Sequence, residues 1–397
     1  MNKNNRSLKT IFAEALEHYR KRDLKTAETV CYKILGIDSN HFDSISLLAN
    51  IFAVNRNFDK TKEFLNKAIE IQPENTSILN NLGTVNRELG KSEEAIKFYQ
   101  KVLEIDSNHT NANYNLGLIF SKSKELTKAK NYLEKTVKIQ PNYALAHFSL
   151  GNLQKEFKEL KKAKLSYLKA IELRSDFASA QNNLGLVFSA MDDPQNAISC
   201  YKKTIKINSK HAGAYNNLGR IYTETGEFKK AINSHQMAIK LEPENLPHHF
   251  YLSELDNNFL DLKLKNKTEK ILNSSNPSQS NLVFGNFLLS RYAGNEKKYE
   301  KEFDYLIKAH NHYFELKKEK FELGLKYCFD DVLQIANFAK LENSSKKSDY
   351  RIKPIFIVGV PRCGSTLVEK VVGSGEKSIP MGEEVAVMEN FVNNKIL

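Results

Sequence analysis

Small and apolar positions return along this chain at a fixed distance, and that period sets the elements it predicts. Gly83, Gly117, Gly151, Gly185 and Gly219 stand 34 residues apart, each preceded by leucine. Twelve residues after each glycine comes an alanine: Ala95, Ala129, Ala163, Ala197 and Ala231. Ala15 and Ala49 extend the glycine register backwards and Ala27 extends the alanine register, with Thr61 the exception. Seven repeats follow, beginning near Leu8, Phe42, Thr76, Thr110, Ala144, Ala178 and Ala212. Each predicts a pair of antiparallel helices, because a small residue on both sides lets two axes approach to about 8–10 Å. Tyr99, Leu133, Tyr167 and Tyr201, four residues past the alanines, are expected to fill the space beside that contact. One such hairpin leaves its apolar face bare, so stacking supplies the core and the concave groove becomes the default binding surface.

The spacing resembles the tetratricopeptide repeat. Pro73, Pro141 and Pro243 stand where that family places its closing proline, and the other repeats have serine there. The predicted array is a mainly α solenoid over residues 8–245. Within it Asn81, Asn115, Asn183 and Asn217 share one repeat position, which Ser149 interrupts. A side-chain amide carries both a donor and an acceptor, so a stripe of them suits the backbone of an extended protein or peptide partner. The stripe resembles the asparagine ladder of the protein O-GlcNAc transferases. It also matches the asparagine that commonly precedes leucine-glycine in such repeats, and both readings stay open at this point.

Residues 246–350 lose the strict period but keep helical patterning, as a connector. The run Asn273-Ser274-Ser275-Asn276-Pro277-Ser278 is a break dense in turn formers. After it, Asn281 to Tyr292 and Tyr299 to Phe314 read as two amphipathic helices, a degenerate repeat expected to cap the array. His248-His249 and His310-x-His312 have no carboxylate or cysteine at matching spacing, so they are expected to be exposed helix histidines and not metal ligands. Asn343 to Ser348 is a second polar linker that marks a domain boundary.

The chain changes character over residues 351–397. Pro354-Ile355-Phe356-Ile357-Val358 is a short apolar run of the kind that forms a buried strand, and Leu367 to Val372 reads as a helix start. Between them lies Gly359-Val360-Pro361-Arg362-Cys363-Gly364-Ser365-Thr366. A strand, a glycine-bearing turn and a helix N-terminus converge backbone N–H groups on one anion. The glycine spacing is that of a nucleotide-binding P-loop, but Ser365 stands where lysine would reach the terminal phosphates, which argues against ATP or GTP hydrolysis.

Pro361-Arg362-x-Gly364-Ser365-Thr366 resembles the 5′-phosphosulfate-binding loop of the sulfotransferases, in particular the tyrosylprotein branch and bacterial proteins that join it to tetratricopeptide repeats. Cys363 departs from the serine usual in that pattern. The resemblance implies the first strand–loop–helix of a P-loop-like α/β sulfotransferase domain. It implies 3′-phosphoadenosine 5′-phosphosulfate as donor, with Arg362, Cys363, Gly364, Ser365 and Thr366 at its 5′ side and no metal. By the same resemblance Gly382-Glu383-Glu384 supplies the base for the acceptor hydroxyl, Glu384 first and Glu383 as its alternate. A domain of that kind needs on the order of 150 further residues, so the expectation is a fragment or a truncated gene product. The competing expectation is a non-catalytic scaffold in which this segment is vestigial.

Composition changes this picture little. At 41% hydrophobic and 27% charged residues the chain is apolar enough to fold. Its net charge of +12 comes from lysine scattered among carboxylates, and no basic run alternates with stacking aromatics, so a solvated surface is expected instead of nucleic-acid binding. No window nears the roughly 18 apolar residues of a membrane helix, and Met1 to Thr10 shows no signal or transit character; a cytoplasmic protein is expected. Cys31, Cys200, Cys328 and Cys363 are too far apart for a zinc site or a disulfide framework, which predicts reduced thiols.

Overall fold

The computed structural model describes residues 7–326. The chain divides into two compact units at the Glu242/Pro243 junction.

The first unit is a stack of seven helical hairpins. These are α1 (Leu8–Arg20) with α2 (Leu24–Leu35), α3 (Phe42–Val54) with α4 (Phe58–Ile71), and α5 (Thr76–Glu88) with α6 (Ser92–Ile105). They continue as α7 (Thr110–Lys122) with α8 (Leu126–Ile139), α9 (Ala144–Glu156) with α10 (Leu160–Leu173), α11 (Ala178–Ala190) with α12 (Pro194–Ile207), and α13 (Ala212–Glu224) with α14 (Phe228–Leu241). Side-chain acceptors close many helix starts. Asn75 caps α5 and Asp193 caps α12, while His41, His109 and His211 use Nδ1 to accept from the third backbone N–H beyond them, as Ser, Asn or Asp more often does.

The periodic small residues sit where the helices meet. Ala27, Ala95, Ala129, Ala163, Ala197 and Ala231 are all fully buried. Thr61 takes the same slot in the second hairpin at 2% exposure, its extra hydroxyl donating to the Asn57 carbonyl at 2.8 Å. A β-carbon added at Gly83, Gly151 or Gly185 would come within 2.6–2.8 Å of the ring of Tyr99, Tyr167 or Tyr201. Leu133 stands in the same relation to Gly117, and His235 to Gly219.

The turn inside each hairpin is as periodic as the core. Arg22, Arg56, Gly90, Lys124, Lys158, Asp192 and Gly226 all have left-handed φ values, between 55° and 78°. Only Gly90 and Gly226 are of the type that adopts this conformation without a β-carbon penalty.

Curvature follows from unequal spacing. Successive first helices approach one another, α5 with α7, α7 with α9, α9 with α11 and α11 with α13, while second helices do not do so to the same degree. The first helices therefore form the inner face of the solenoid and the second helices the outer face.

The second unit contains α15 (Leu246–Leu255), a 3-10 turn (Asn257–Phe259), α16 (Leu262–Leu272), α17 (Gln279–Asn295) and α18 (Tyr299–Lys326). The last two helices run longer at both ends or at one end than their amphipathic stretches in the sequence. Asn281 ties α17 to the start of α15 by accepting from Leu246 N at 2.9 Å and donating to the Glu244 carbonyl at 3.0 Å. Tyr292 donates to the Asp261 carbonyl at 2.8 Å. His248 and His249 are not exposed, as their sequence context suggested, but 4% accessible each. His249 pairs through Nε2 with the Pro243 carbonyl at 2.8 Å and stacks on Phe259, so this histidine belongs to the unit's interior.

Candidate binding groove

The asparagine stripe lies on the first helices, hence on the inner face. Three of its four members are already engaged by neighbouring repeats. Asn115 Oδ1 accepts from Arg87 of the preceding repeat at 2.8 Å. Asn183 Nδ2 donates to Asn152 Oδ1 at 2.8 Å, and Asn217 Nδ2 donates to Asn182 Oδ1 at 3.2 Å. Much of the stripe is thus an internal device that pins one repeat to the next. The ladder reading and the structural reading divide between atoms of the same side chains: Asn115 keeps its N–H2 group and Asn217 its oxygen.

Beneath the stripe, the tyrosines of the second helices reach through to the inner face. Tyr167 Oη donates to Asn152 Oδ1 at 2.7 Å, and Tyr99 Oη shares a hydrogen bond with Thr84 Oγ1 at 3.1 Å. Burial pushes these phenols upward, which keeps them protonated. One tyrosine thus fixes the rotamer of a residue in the groove while its ring fills the hairpin core.

Asn81 differs from the other three. It is half-buried and makes no side-chain hydrogen bond among the described residues. It borders a cleft of about 100 Å³ lined also by Ala49, Asn50, Ala53, Thr61, Leu65, Thr84 and Val85. The walls are aliphatic, and the polar atoms stand at Asn50, Asn81 and Thr84. The Thr84 hydroxyl is committed to the Asn80 carbonyl and Tyr99. A free donor and a free acceptor beside a side-chain-sized apolar recess can bond a peptide unit and seat an aliphatic side chain.

The sequence-derived donor-site residues Arg362, Cys363, Gly364, Ser365 and Thr366, and the candidate bases Glu383 and Glu384, lie outside the described residues. Among the described residues no group of histidines, cysteines and carboxylates has the arrangement of a metal site. The cleft itself was missed from sequence. Its signal was weak but present, since Ala49 and Ala53 leave room on α3 where Asn81 and Thr84 face them from α5.

A sequence profile of the tetratricopeptide repeat matches residues 42–108, 74–142 and 176–243, and a second profile of the same description matches 144–177. An uncharacterised protein of Aquifex aeolicus is 29% identical over 118 residues, a stretch that is 29% of this chain and 15% of that one. The chain therefore matches only a small part of that relative's length. Among solved structures, YrrB, described as a tetratricopeptide-repeat protein with an unusual peptide-binding site, is 24% identical over 46% of this chain and 95% of its own, at a TM-score of 0.42. MamA is 29% identical over 41% of this chain and 95% of its own, at 0.40. PilF of Pseudomonas aeruginosa is 20% identical over 55% and 97%, at 0.49. With the 34-residue period, the seven hairpins and the profile matches in agreement, the chain belongs to the tetratricopeptide-repeat family.

Proposed function

We propose that the solenoid is a protein-binding scaffold whose inner face holds an extended peptide segment of its partner. The observation that carries this reading is the unspent amide of Asn81 beside the aliphatic cleft between α3 and α5. Its donor and acceptor fit one peptide group of an extended chain, and the recess fits the aliphatic side chain next to it. Immobilised peptide libraries probed with the full chain, followed by fluorescence polarisation on the peptides retained, test this. Asn81→Ala removes one or two hydrogen bonds, so affinity should fall about three- to tenfold or more. Asn50→Arg, at an exposed rim position, should block the cleft. Peptides whose binding ignores both variants would reject the inner face as the site.

A second reading rests on the loop Pro361-Arg362-x-Gly364-Ser365-Thr366. In it, the C-terminal segment begins a sulfotransferase domain that uses 3′-phosphoadenosine 5′-phosphosulfate, with Glu384 as base and Glu383 as alternate, and the scaffold recruits the acceptor protein. Calorimetry with 3′-phosphoadenosine 5′-phosphate in the absence of magnesium tests the donor site. Arg362→Ala removes a charge-assisted contact and should weaken binding about ten- to a hundredfold. Tighter binding of magnesium-ATP would overturn the donor assignment.

A further inference from the structure

Lysines that are scattered along the sequence are gathered by the fold onto one side of one half of the array. The outer helices α8, α10, α12 and α14 carry fourteen lysines and two carboxylates, Glu134 and Glu172. The inner helices of the same four repeats carry Lys122, Lys155 and Arg220 against Glu156 and Glu224. The outer helices α2, α4 and α6 are balanced, with seven lysines and seven carboxylates. Among the helices of the array the positive excess therefore lies on the outer face of repeats four to seven.

Local carboxylates neutralise only part of it. Glu125 pairs with Lys128, Glu159 with Lys130 and Lys162, Glu172 with Lys169, and Glu227 with Lys230. Lys135, Lys138, Lys161, Lys164, Lys202, Lys203, Lys206, Lys229 and Lys240 form no ion pair among the described residues. On α12, Lys202, Lys203 and Lys206 are all exposed, with no carboxylate on that helix. Aliphatic side chains stand among these charges. Leu165 and Leu168 are 65% and 42% exposed on the face of α10 that also carries Lys161.

Three features choose the partner. Fourteen lysines and no arginine on these helices give point charges without the planar fork that reads individual phosphates. Across α8, α10, α12 and α14 a single ring, Phe228 at the start of α14, is exposed, and one ring makes no row on which successive bases could stack. Exposed leucines flanked by lysines fit the boundary between headgroups and acyl chains. We propose that the outer face of repeats four to seven rests on an anionic lipid surface, which leaves the inner face open for a partner. The attachment is peripheral; among the described residues no helix is long and apolar enough to cross a membrane.

Flotation of the full chain with phosphatidylglycerol-containing vesicles, against pure phosphatidylcholine vesicles, tests the proposal. The chain should float with the anionic vesicles only, and roughly 0.5 M salt should release it, since screening then acts over only a few ångströms. Replacing Lys202, Lys203 and Lys206 together by glutamine should weaken partitioning on the order of 100-fold. Lys33, Lys97 and Lys101 replaced by glutamine remove the same charge from the balanced half and should change partitioning little. Leu165→Gln with Leu168→Gln should weaken vesicle binding while leaving retention on heparin unchanged. The proposal is overturned if anionic vesicles do not carry the chain, if the two lysine triples lose binding equally, or if duplex DNA binds more tightly than the vesicles and the leucine pair has no effect.

Discussion

The close approach of Gly151 to Tyr167 lends itself to a double-mutant cycle whose sign can be worked out in advance. A β-carbon at Gly151 would lie 2.8 Å from Tyr167 Cε1, well inside contact distance, and the ring beneath it is fully buried. Gly151→Ala therefore forces the ring to shift, at about 1–3 kcal/mol for overpacking, against a helix-propensity gain of about 1 kcal/mol. The net effect should be destabilising by up to about 2 kcal/mol. Tyr167→Ala alone should cost about 3–5 kcal/mol, since it empties the space and removes the donor to Asn152. In the Tyr167→Ala background the clash is gone, so Gly151→Ala should stabilise by about 1 kcal/mol through propensity and partial filling of the void. The coupling is then about 1–3 kcal/mol, the overpacking cost itself, within the range for residues in contact. Urea unfolding followed by circular dichroism on the four proteins measures it. If Gly151→Ala destabilises equally in both backgrounds, the glycine is not there for the ring, and this account of the hairpin interior is wrong.

Two further outcomes follow from buried titratable groups. Burial holds the His249 imidazole below its usual range, so the unfolded chain binds the proton more readily. The stability this contributes to the second unit is present at neutral pH and lost as pH falls below about 6.5. Hydrogen exchange in α15–α17 should accelerate over that range, and His249→Gln should flatten the response; an unchanged slope would remove His249 as its source. Burial also pushes the thiols of Cys31 and Cys200 up, to about 12 and about 11. Alkylation at neutral pH, mapped by mass spectrometry, should leave both unmodified until denaturant is added, and labelling of either in the native chain would contradict its burial.

The repeat register was legible because two glycine or alanine positions per period leave little freedom. All seven first helices begin at the residues that register marks, from Leu8 to Ala212. The exception at Thr61 was visible as a mismatch, but its resolution, a hydroxyl turned back onto Asn57, needs coordinates. The asparagines were found by period alone, yet period cannot tell which amide atoms are consumed. Arg87 sits 28 residues before Asn115 and Asn152 sits 31 before Asn183, offsets that only the stacking geometry makes adjacent. The same limit hid the charge asymmetry. Lysines and glutamates alternate closely enough in sequence to look balanced, and only the assignment of helices to inner and outer faces separates them. His248 and His249 were misjudged because two polar residues in a row read as surface, whereas the short α15 buries both.

The left-handed residues in the hairpin turns imply an uneven elasticity along the array. Arg22, Arg56, Lys124, Lys158 and Asp192 each hold a conformation that costs a residue with a β-carbon about 1–2 kcal/mol, while Gly90 and Gly226 hold it without that penalty. Hairpins one, two, four, five and six thus carry stored local strain, and hairpins three and seven do not. In a linear stack, where each unit answers mainly to its neighbours, such differences stay local instead of averaging out. The third hairpin, which contributes Asn81 and Thr84 to the cleft, therefore holds its turn without the strain stored in the hairpins on either side, and tension on the array would release that strain by opening those neighbours first.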